Sequence, residues 1–357
     1  IDTTTSATAL RSPFTQVALQ QRQAELAQWQ RRLERAQHVL TSYQQQTQYP
    51  QESRPLSQHP DQIDPNQPIV EDGLLRMPGS KGGQGLHLRT SQERVYVQGQ
   101  QSVRLTLTLS DDAGKKLPLR VLHANAHEAV QGQRASLLPS VAVSFNDEGK
   151  AGDAVAADGT YTLLFQPATQ GFASLAGLIR IEAMLQYQNQ QGFSYFDVIY
   201  TPQAPLEWMP GLREALEQGS LNFYLRAKVA ESGRYVFSGR LFDATGKPFA
   251  LLSFNEELAA GQQEIRLSLF GKLVRDANPS FPLTLRDVEG FLLRQDQFPD
   301  RSLVPSLSGK VHMSQSYPLL SFSDAQWSSE ERSRYLTEYG KDVDEAKQQV
   351  AKLQTGP

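Results

Sequence analysis

Apolar and polar residues alternate strictly over several short stretches, and this period of two constrains the fold of the chain more than any other feature. Residues 103–109 read Val-Arg-Leu-Thr-Leu-Thr-Leu, and 179–185 and 221–229 follow similar patterns. Successive side chains of a strand point to opposite faces, so each stretch buries one face and exposes the other. Further strands are expected at 193–200, 235–242, 249–254, 265–269 and 283–293. Since no amphipathic helix separates them, the pattern predicts antiparallel β-sandwiches rather than βαβ units.

Both ends of the chain carry helical patterns instead. Ser12 and Pro13 supply an N-cap and a first-turn proline for a helix over 12–43. A capping box at 328–331 predicts a second helix from Ser328 onward. Each helix has an apolar stripe that steps by three and four: Leu26, Trp29, Leu33, Ala36, Leu40 and Tyr43 in the first, and Leu336, Tyr339, Val343, Ala346, Val350 and Leu353 in the second. The stripes predict that the helices pack together, within one chain or across a homodimer, or that each packs separately on a sandwich.

These patterns divide the chain into five parts. We expect an N-terminal amphipathic helix at 1–43, an extended linker at 44–85, sandwiches at 86–204 and 205–325, and a C-terminal amphipathic helix at 326–357. The linker is rich in proline and glutamine and ends in a glycine-rich run at 79–85, which we expect to be mobile. The proline-rich exit at 201–205 suggests that residues 206–325 can fold alone.

Composition excludes several classes of function. The 357 residues carry a formal net charge of -3, without the basic excess of nucleic-acid-binding proteins. No apolar run approaches the ~20 residues of a transmembrane helix, and the N-terminal residues do not resemble a signal peptide, so we expect a mature or trimmed form. The chain has no cysteine, which excludes disulfides, cysteine nucleophiles and thiolate metal sites.

An acidic, glycine-rich loop at 146–161 joins two apolar runs. A loop of this kind at the end of a sandwich is typical of an extracytoplasmic immunoglobulin-like module. Its carboxylates, Asp147, Glu148, Asp153 and Asp158, are the candidate metal ligands, because calcium takes six to eight hard oxygen ligands from a flexible loop. The spacing differs from that of an EF-hand. The same carboxylates could instead accept hydrogen bonds from backbone amides of the loop.

Two shorter patterns involve histidine and glycine. His123, His127 and Glu128 resemble a metal-binding pattern, but on an extended segment the two imidazoles would lie ~13 Å apart, too far to share one zinc ion. Asp-x-x-Gly-Lys occurs twice between expected strands, at 111–115 and 243–247. Glycine adopts the left-handed conformation of such turns, and aspartate can accept hydrogen bonds from the turn amides.

Four segments and the acidic loop carry a resemblance to a known family. Residues 235–254, 261–267, 281–289 and 321–331 resemble a family of uncharacterised bacterial exported proteins, known as a domain of unknown function with immunoglobulin-like sandwiches. The loop at 152–161 is similar to one in many bacterial secreted modules. The resemblance covers roughly 85–330 and implies the fold and export, but no catalytic residues.

The expected fold is therefore mainly β, with two immunoglobulin-like antiparallel β-sandwich domains and N- and C-terminal α-helices. The leading hypothesis is a non-enzymatic binding or scaffolding protein, periplasmic or secreted, whose partner is a protein or an envelope component. An accessory or chaperone-like factor for a secreted or surface protein is the alternative. A hydrolase of envelope polymers ranks third, because no Gly-x-Ser-x-Gly motif, phosphate loop or paired acid and base is identifiable.

Overall fold

The structure, a computed structural model, describes residues 13–75, 85–129 and 138–355. The chain divides into two compact units. One unit combines the two ends, Ile1–Gln51 and Ser323–Pro357, and the other is Glu52–Phe322. The described helices are α1 (Pro13–Gln46), α2 (Gly271–Ala277) and α3 (Glu330–Thr355). Helix α1 begins at the predicted proline, whereas its predicted cap, Ser12, lies outside the described residues.

Helices α1 and α3 pack against each other as an antiparallel hairpin, which confirms that the terminal helices pair and places the pairing within one chain. Near the start of α1, the Arg22 guanidinium donates two hydrogen bonds to the carbonyl oxygen of Leu353, at 2.8 and 2.6 Å. At the other end, the ring centroid of Tyr43 lies 5.7 Å from that of Tyr335 and 5.3 Å from that of Tyr339. Contacts at both ends fix the register of the hairpin.

The cap of α3 lies one residue later than the capping box predicts. The Oγ of Ser329 accepts a hydrogen bond from the Arg332 amide at 3.0 Å, and the helix starts at Glu330. Ser329, rather than Ser328, therefore satisfies an amide of the first turn. Further along α3, Val343 and Ala346 are buried, and both belong to the predicted stripe.

The second unit is built from strands, in agreement with the predicted mainly β, sandwich-type fold. In chain order they are β1 (Ser53–Pro55), β2 (Ile69–Leu74), β3 (His87–Gln92), β4 (Tyr96–Gln98), β5 (Val103–Ser110), β6 (Lys116–Leu117), β7 (Arg120–Glu128), β8 (Val141–Val143), β9 (Thr160–Phe165), β10 (Gly177–Tyr187), β11 (Gln190–Thr201), β12 (Leu206–Trp208), β13 (Arg213–Glu217), β14 (Ser220–Val229), β15 (Gly233–Phe242), β16 (Pro248–Leu258), β17 (Gly261–Leu269), β18 (Thr284–Leu293), β19 (Arg301–Leu303) and β20 (Leu307–Met313).

The first sandwich consists of two sheets that pack face to face. One sheet has the strand order β2-β3-β5-β6, with β9 also paired to β5, and the other has the order β4-β11-β10-β7-β8. All of these pairs are antiparallel except β4 with β11. The alternation predicted at 103–109 and 179–185 is present, because every second residue there is buried in a single core.

The second sandwich has the sheet orders β1-β16-β15-β18-β19, with β20 on β18, and β12-β14-β13, with β17 on β14. Its core includes Phe223, Phe237 and Leu267. Arg240 is completely buried and donates hydrogen bonds to the carbonyl oxygens of Gln62 and Asp287, at 2.9 and 2.7 Å. Its guanidinium also donates to a carboxylate oxygen of Glu289 at 2.6 Å, so the buried charge is paired.

The segment 44–85 differs from the extended linker that its prolines predict. It contains β1, which pairs with β16 of the second sandwich, and β2, which pairs with β3 of the first. Two 3-10 turns, Leu56–Gln58 and Pro60–Gln62, lie between these strands. Proline is compatible with an edge strand such as β1 because one side of that strand needs no amide donors. Of the glycine-rich run, only Gly85 lies within the described residues. The boundary between the sandwiches at 204 and 205 stays a prediction.

The two Asp-x-x-Gly-Lys turns have the same hydrogen bonds. Oδ1 of Asp111 accepts from the amides of Ala113 and Lys115. In the second turn, Oδ1 of Asp243 accepts from the corresponding amides, those of Thr245 and Lys247. The glycines, at 114 and 246, have φ values of 78° and 82°, in the left-handed region that glycine adopts without steric cost. The prediction for these turns is confirmed.

Candidate functional site

The acidic loop is closed by its own carboxylates. The main chains of Asn146 and Thr162 exchange two hydrogen bonds, at 2.9 and 2.8 Å, where the loop leaves the sheet. The two carboxylate oxygens of Asp147 then accept hydrogen bonds from the amides of Asp158 and Gly159, both at 3.0 Å. Asp147 therefore joins the start of the loop to its end.

The other three candidate ligands also have partners within the protein. Asp153 is buried and accepts from the Gly149 amide at 2.6 Å and from the Thr162 hydroxyl at 3.2 Å. Asp158 accepts from the Thr160 amide at 2.8 Å, a hydrogen bond that holds the pKa of this carboxyl below its usual value. Glu148 forms an exposed ion pair with Lys150 at 2.8 Å, and the hydrogen bond raises the pKa of that lysine.

This geometry accounts for the loop carboxylates as caps of backbone amides and as ion-pair partners. Within the described ranges, no group of three or more His, Cys, Asp or Glu side chains is placed to hold a metal ion. His123 and His127 both lie on β7, where they pair with Met184 and Arg180 of β10. The extended conformation expected there is present, and the two imidazoles occupy separate positions along the strand. Calcium binding by the loop stays a prediction.

The sequence did not predict a cluster of hydrogen bonds around Glu214. One carboxylate oxygen of Glu214 lies 2.9 Å from Nε2 of His312. The other accepts from the Gln315 amide at 2.7 Å and from the Tyr317 hydroxyl at 2.9 Å. Burial and the hydrogen bond to Glu214 raise the pKa of Tyr317 to about 12. The cluster attaches 312–317 to β13, and no local sequence signal could have identified partners a hundred positions apart.

Two concave surfaces are the candidate binding sites. The first, of about 720 Å³, lies where the first sandwich is open between its two sheets, and we call it the edge groove. It is lined by residues of β2, β3 and β11 together with Val95: Ile69, Glu71, Asp72, Gly73, Leu74, Leu88, Thr90, Gln92, Val95, Phe193, Ser194, Tyr195, Phe196 and Asp197. Polar residues and half-exposed apolar side chains such as Ile69 and Phe193 therefore share one groove.

The second concavity, of about 570 Å³, lies between the two sandwiches and is called the sandwich cleft. Its walls include 93–96 of the first sandwich and 236–238 and 289–291 of the second. The guanidinium of Arg301 lies 4.7 Å from the ring centroid of Phe291 and 5.5 Å from that of Tyr96. Ile69 and Val95 line both concavities, so the edge groove and the sandwich cleft are continuous.

The edge groove has an acidic lining. Its charged residues are Glu71, Asp72 and Asp197, and no lysine or arginine is among the described residues that line it. Asp197 forms a bidentate pair with Arg180, with both N–O distances at 2.8 Å. Arg180 also lies 4.4 Å from the ring centroid of Tyr195. Asp72 lies 3.7 Å from Nδ1 of His87, on the other face of β2, so Glu71 gives this groove its negative character.

Comparison with known proteins gives only distant similarities. No family model and no curated protein sequence matches the chain. Among solved structures, it is similar to a DUF4785 family protein from Legionella pneumophila, with 13% identity over 63% of this chain and 57% of that chain and a TM-score of 0.42. Trypsin-activated alpha-2-macroglobulin from Escherichia coli matches with 14% identity over 65% and 16% of the two chains and a TM-score of 0.24. Dimeric latent PorU from Porphyromonas gingivalis matches with 14% identity over 69% and 20% and a TM-score of 0.20.

The match spans just over half of the Legionella chain and a fifth or less of the other two. Within the described ranges, neither long helix is apolar enough to be a membrane span.

Proposed function

We propose that this chain is a non-enzymatic binding or scaffolding protein, exported from a bacterial cytoplasm and acting in the periplasm or outside the cell. One observation carries the proposal: a continuous concave surface, formed by the edge groove and the sandwich cleft, is lined by strand edges and partly exposed apolar side chains. Concave sites with apolar walls and a few convergent polar groups are the usual binding sites of proteins. The immunoglobulin-like type of the sandwiches and membership of the uncharacterised exported family belong to the same proposal, supported by the motifs at 235–331.

The positions of the acidic and basic groups favour binding over hydrolysis. Glu214 and His312 lie together, but they hydrogen-bond each other and the adjacent chain, and neither lines either concavity. Asp147, Asp153 and Asp158 accept hydrogen bonds from loop amides. General acid and base catalysis requires such groups within reach of a bound substrate.

A site-specific photocrosslinker tests the proposal in cells that produce the full-length protein. We expect a crosslinker at Ile69, which lines both concavities and is 46% exposed, to label a discrete protein or envelope component of the periplasmic or extracellular fraction. The control position is Val155, which is 57% exposed on the acidic loop. Equal labelling at both positions, or turnover of peptidoglycan, peptides or glycans by the purified protein, would contradict the proposal.

The helical hairpin supports the second candidate, an accessory or chaperone-like factor for a secreted or surface protein. The whole apolar stripe of α1 stays partly exposed. Val17 and Val39, which lie outside the stripe, are 52% and 45% exposed. A client could contact these apolar positions. A crosslinker at Val39 that labels a secreted or surface protein, with none at Ile69, would favour this candidate over the first.

A further inference from the structure

Strand β11 has a long side that no described strand covers. It pairs with β10 from Gln190 to Tyr200, and on its other side β4 covers only Ile199, Tyr200 and Thr201. Residues 190–194 therefore present an edge that no described strand covers, and this edge borders the edge groove. At 3.3 Å per residue, five residues extend about 17 Å. Such an edge is a ready template for pairing with another polypeptide.

The direction of the main-chain groups follows from two hydrogen bonds. The Ile199 amide donates to the carbonyl oxygen of Val95 at 2.8 Å, on the side away from β10. The carbonyl oxygen of Asp197 accepts from Nε2 of Gln92, across the groove, at 2.7 Å. Because main-chain groups of alternate residues in a strand point to the same side, those of Gln191 and Phe193 point away from β10 as well. An incoming strand would therefore find donors and acceptors at alternate positions of β11.

Strand β2 forms the opposite wall of the edge groove, and among the described strands it pairs with β3 alone. Ile69 and Glu71 lie opposite Gln92 and Thr90 of β3, which line the groove, so their side chains share the groove face. All six residues of β2 are exposed. The groove thus lies between two sheet edges, with an apolar side chain and a carboxylate on the face of β2 that borders it.

The charges and apolar residues of the groove define its occupant. Within the described part of the chain, β17 also pairs with a single strand, β14. It carries Glu264 and Arg266, and charges on an edge oppose strand addition. The edge of β11 instead carries Phe193, which is 38% exposed, and faces the Glu71 carboxylate of β2. A polypeptide strand offers alternating donors and acceptors to such an edge, and Glu71 favours lysine or arginine within it.

We propose that an extended segment of a partner polypeptide, with apolar residues alternating with lysine or arginine, adds to the 190–194 edge of β11 and lies in the edge groove. The incoming main chain pairs with Gln191 and Phe193, and its basic side chains meet Glu71. This inference rests on the proposed binding function and adds the class of partner and its mode of attachment.

A matched pair of variants separates main-chain pairing from side-chain contact. Phe193→Pro removes an amide that points into the groove and leaves the amides that pair with β10 intact, whereas Phe193→Ala removes only the side chain. The probe is a fluorescein-labelled decapeptide of alternating lysine and valine, followed by fluorescence anisotropy on the whole protein. We expect Phe193→Pro to weaken binding about tenfold or more, and Phe193→Ala to weaken it by a smaller factor. Gln191→Pro repeats the test on the same edge if Phe193→Pro lowers the melting temperature.

Charge reversal tests the second part of the proposal. Glu71→Lys should weaken binding of the Lys-Val peptide, whereas Glu256→Lys, an exposed change of the same charge on β16, should leave it unchanged. A peptide with glutamate in place of lysine should bind the unmodified protein about tenfold or more weakly, and added salt should reduce this difference. Amide exchange in 190–194 should slow when the Lys-Val peptide is bound.

Three results would overturn the inference. They are equal binding of the Lys-Val peptide to the Phe193→Pro and Phe193→Ala variants, equal binding of the lysine and glutamate peptides, and a dimer in solution that Phe193→Pro dissociates, which would make a second copy the occupant. The crosslinking test at Ile69 is independent of these peptide measurements. A partner crosslinked at Ile69 in a Phe193→Pro variant would leave the proposed function standing while rejecting strand addition.

Discussion

The Tyr235 hydroxyl is buried within hydrogen-bond distance of two carbonyl oxygens, those of Pro205 at 2.9 Å and Glu231 at 2.7 Å. Burial raises its pKa from 10.0 to about 12. Because the unfolded state ionises first, this tyrosine contributes full stability below about pH 10 and loses that contribution as pH rises toward 12. We expect Tyr235→Phe to reduce the alkaline loss of unfolding free energy by roughly 1–3 kcal/mol in urea titrations. An unchanged alkaline loss of unfolding free energy in the variant would contradict the role of Tyr235. Tyr317, whose pKa is also raised to about 12, contributes part of the loss that remains in the variant.

Glu214 should contribute more to stability than an exposed glutamate that pairs with a single arginine. Its side chain is 6% exposed and serves His312, Gln315 and Tyr317. We expect Glu214→Gln to lower the free energy of unfolding by about 1–3 kcal/mol, because it replaces charge-assisted hydrogen bonds with weaker ones. The control is Glu264→Gln, whose carboxylate pairs with Arg213 at the surface and should change the free energy by less than about 1 kcal/mol. Equal effects in thermal melts would refute the difference.

The acidic loop gives a prediction about calcium. If its carboxylates bound the ion, calcium at a hundredfold excess over its dissociation constant would stabilise the fold by about 2.7 kcal/mol. Because Asp147, Asp153 and Asp158 already accept amide hydrogen bonds, we expect the same melting temperature with calcium and with chelator. Asp153→Ala should lower the melting temperature in both solutions, because the Gly149 amide loses its acceptor. A rise with calcium that this variant abolishes would establish the metal site.

At the scale of elements, the α1–α3 hairpin depends on a narrow contact. Ala346 is completely buried, whereas its neighbour Lys347 is exposed. Ala346→Glu places a charge and a long side chain in the contact, so we expect it to separate the helices and increase protease cleavage between Tyr335 and Leu353. Lys347→Glu introduces the same residue on the solvent side and should leave cleavage unchanged. Cleavage that is equally slow in both variants would mean that the helices do not depend on this contact.

The elements also show which parts of the fold local sequence can predict. The alternation at 103–109 and the helical stripes predict β5, α1 and α3, because side-chain period follows directly from backbone geometry. The strands β1 and β2 were not predicted, because both lie in the proline-rich segment. In addition, β1 has three residues and pairs with β16, far along the chain. The edge groove was not predicted either, because nothing in the local sequence places β2 opposite β11. The loop carboxylates at 146–161 were identified, with calcium ligation and acceptance of amide hydrogen bonds as the two alternatives.

At the scale of the whole molecule, the stability of the second sandwich should depend on residues that precede the first sandwich in sequence. Strand β1 pairs with Ala250, Leu251 and Leu252 of β16, and Gln62 accepts hydrogen bonds from the buried Arg240. A fragment of 206–325 lacks both contributions. Its Arg240 keeps the Glu289 carboxylate but loses its acceptors on Gln62, which costs about 1–3 kcal/mol. We therefore expect 206–325 to unfold at lower urea concentration than 52–322, contrary to the independence that the proline-rich exit suggests. Equal midpoints would show that β1 and Gln62 are dispensable.

The contact of β1 with β16 also has a consequence for the order of assembly. The ends of the chain form the helical hairpin, the segment from β1 to Gln62 joins 206–322 in the second sandwich, and the first sandwich lies between these two parts in sequence. In sequence, the segments of the second sandwich therefore enclose the first sandwich, and the two helices enclose both. During synthesis from the N-terminus, the strands of the first sandwich are complete before those of the second. Helix α1 is made before both sandwiches, and its partner α3 is made after both. We therefore expect the first sandwich to form before the second, and the helical hairpin to close after both.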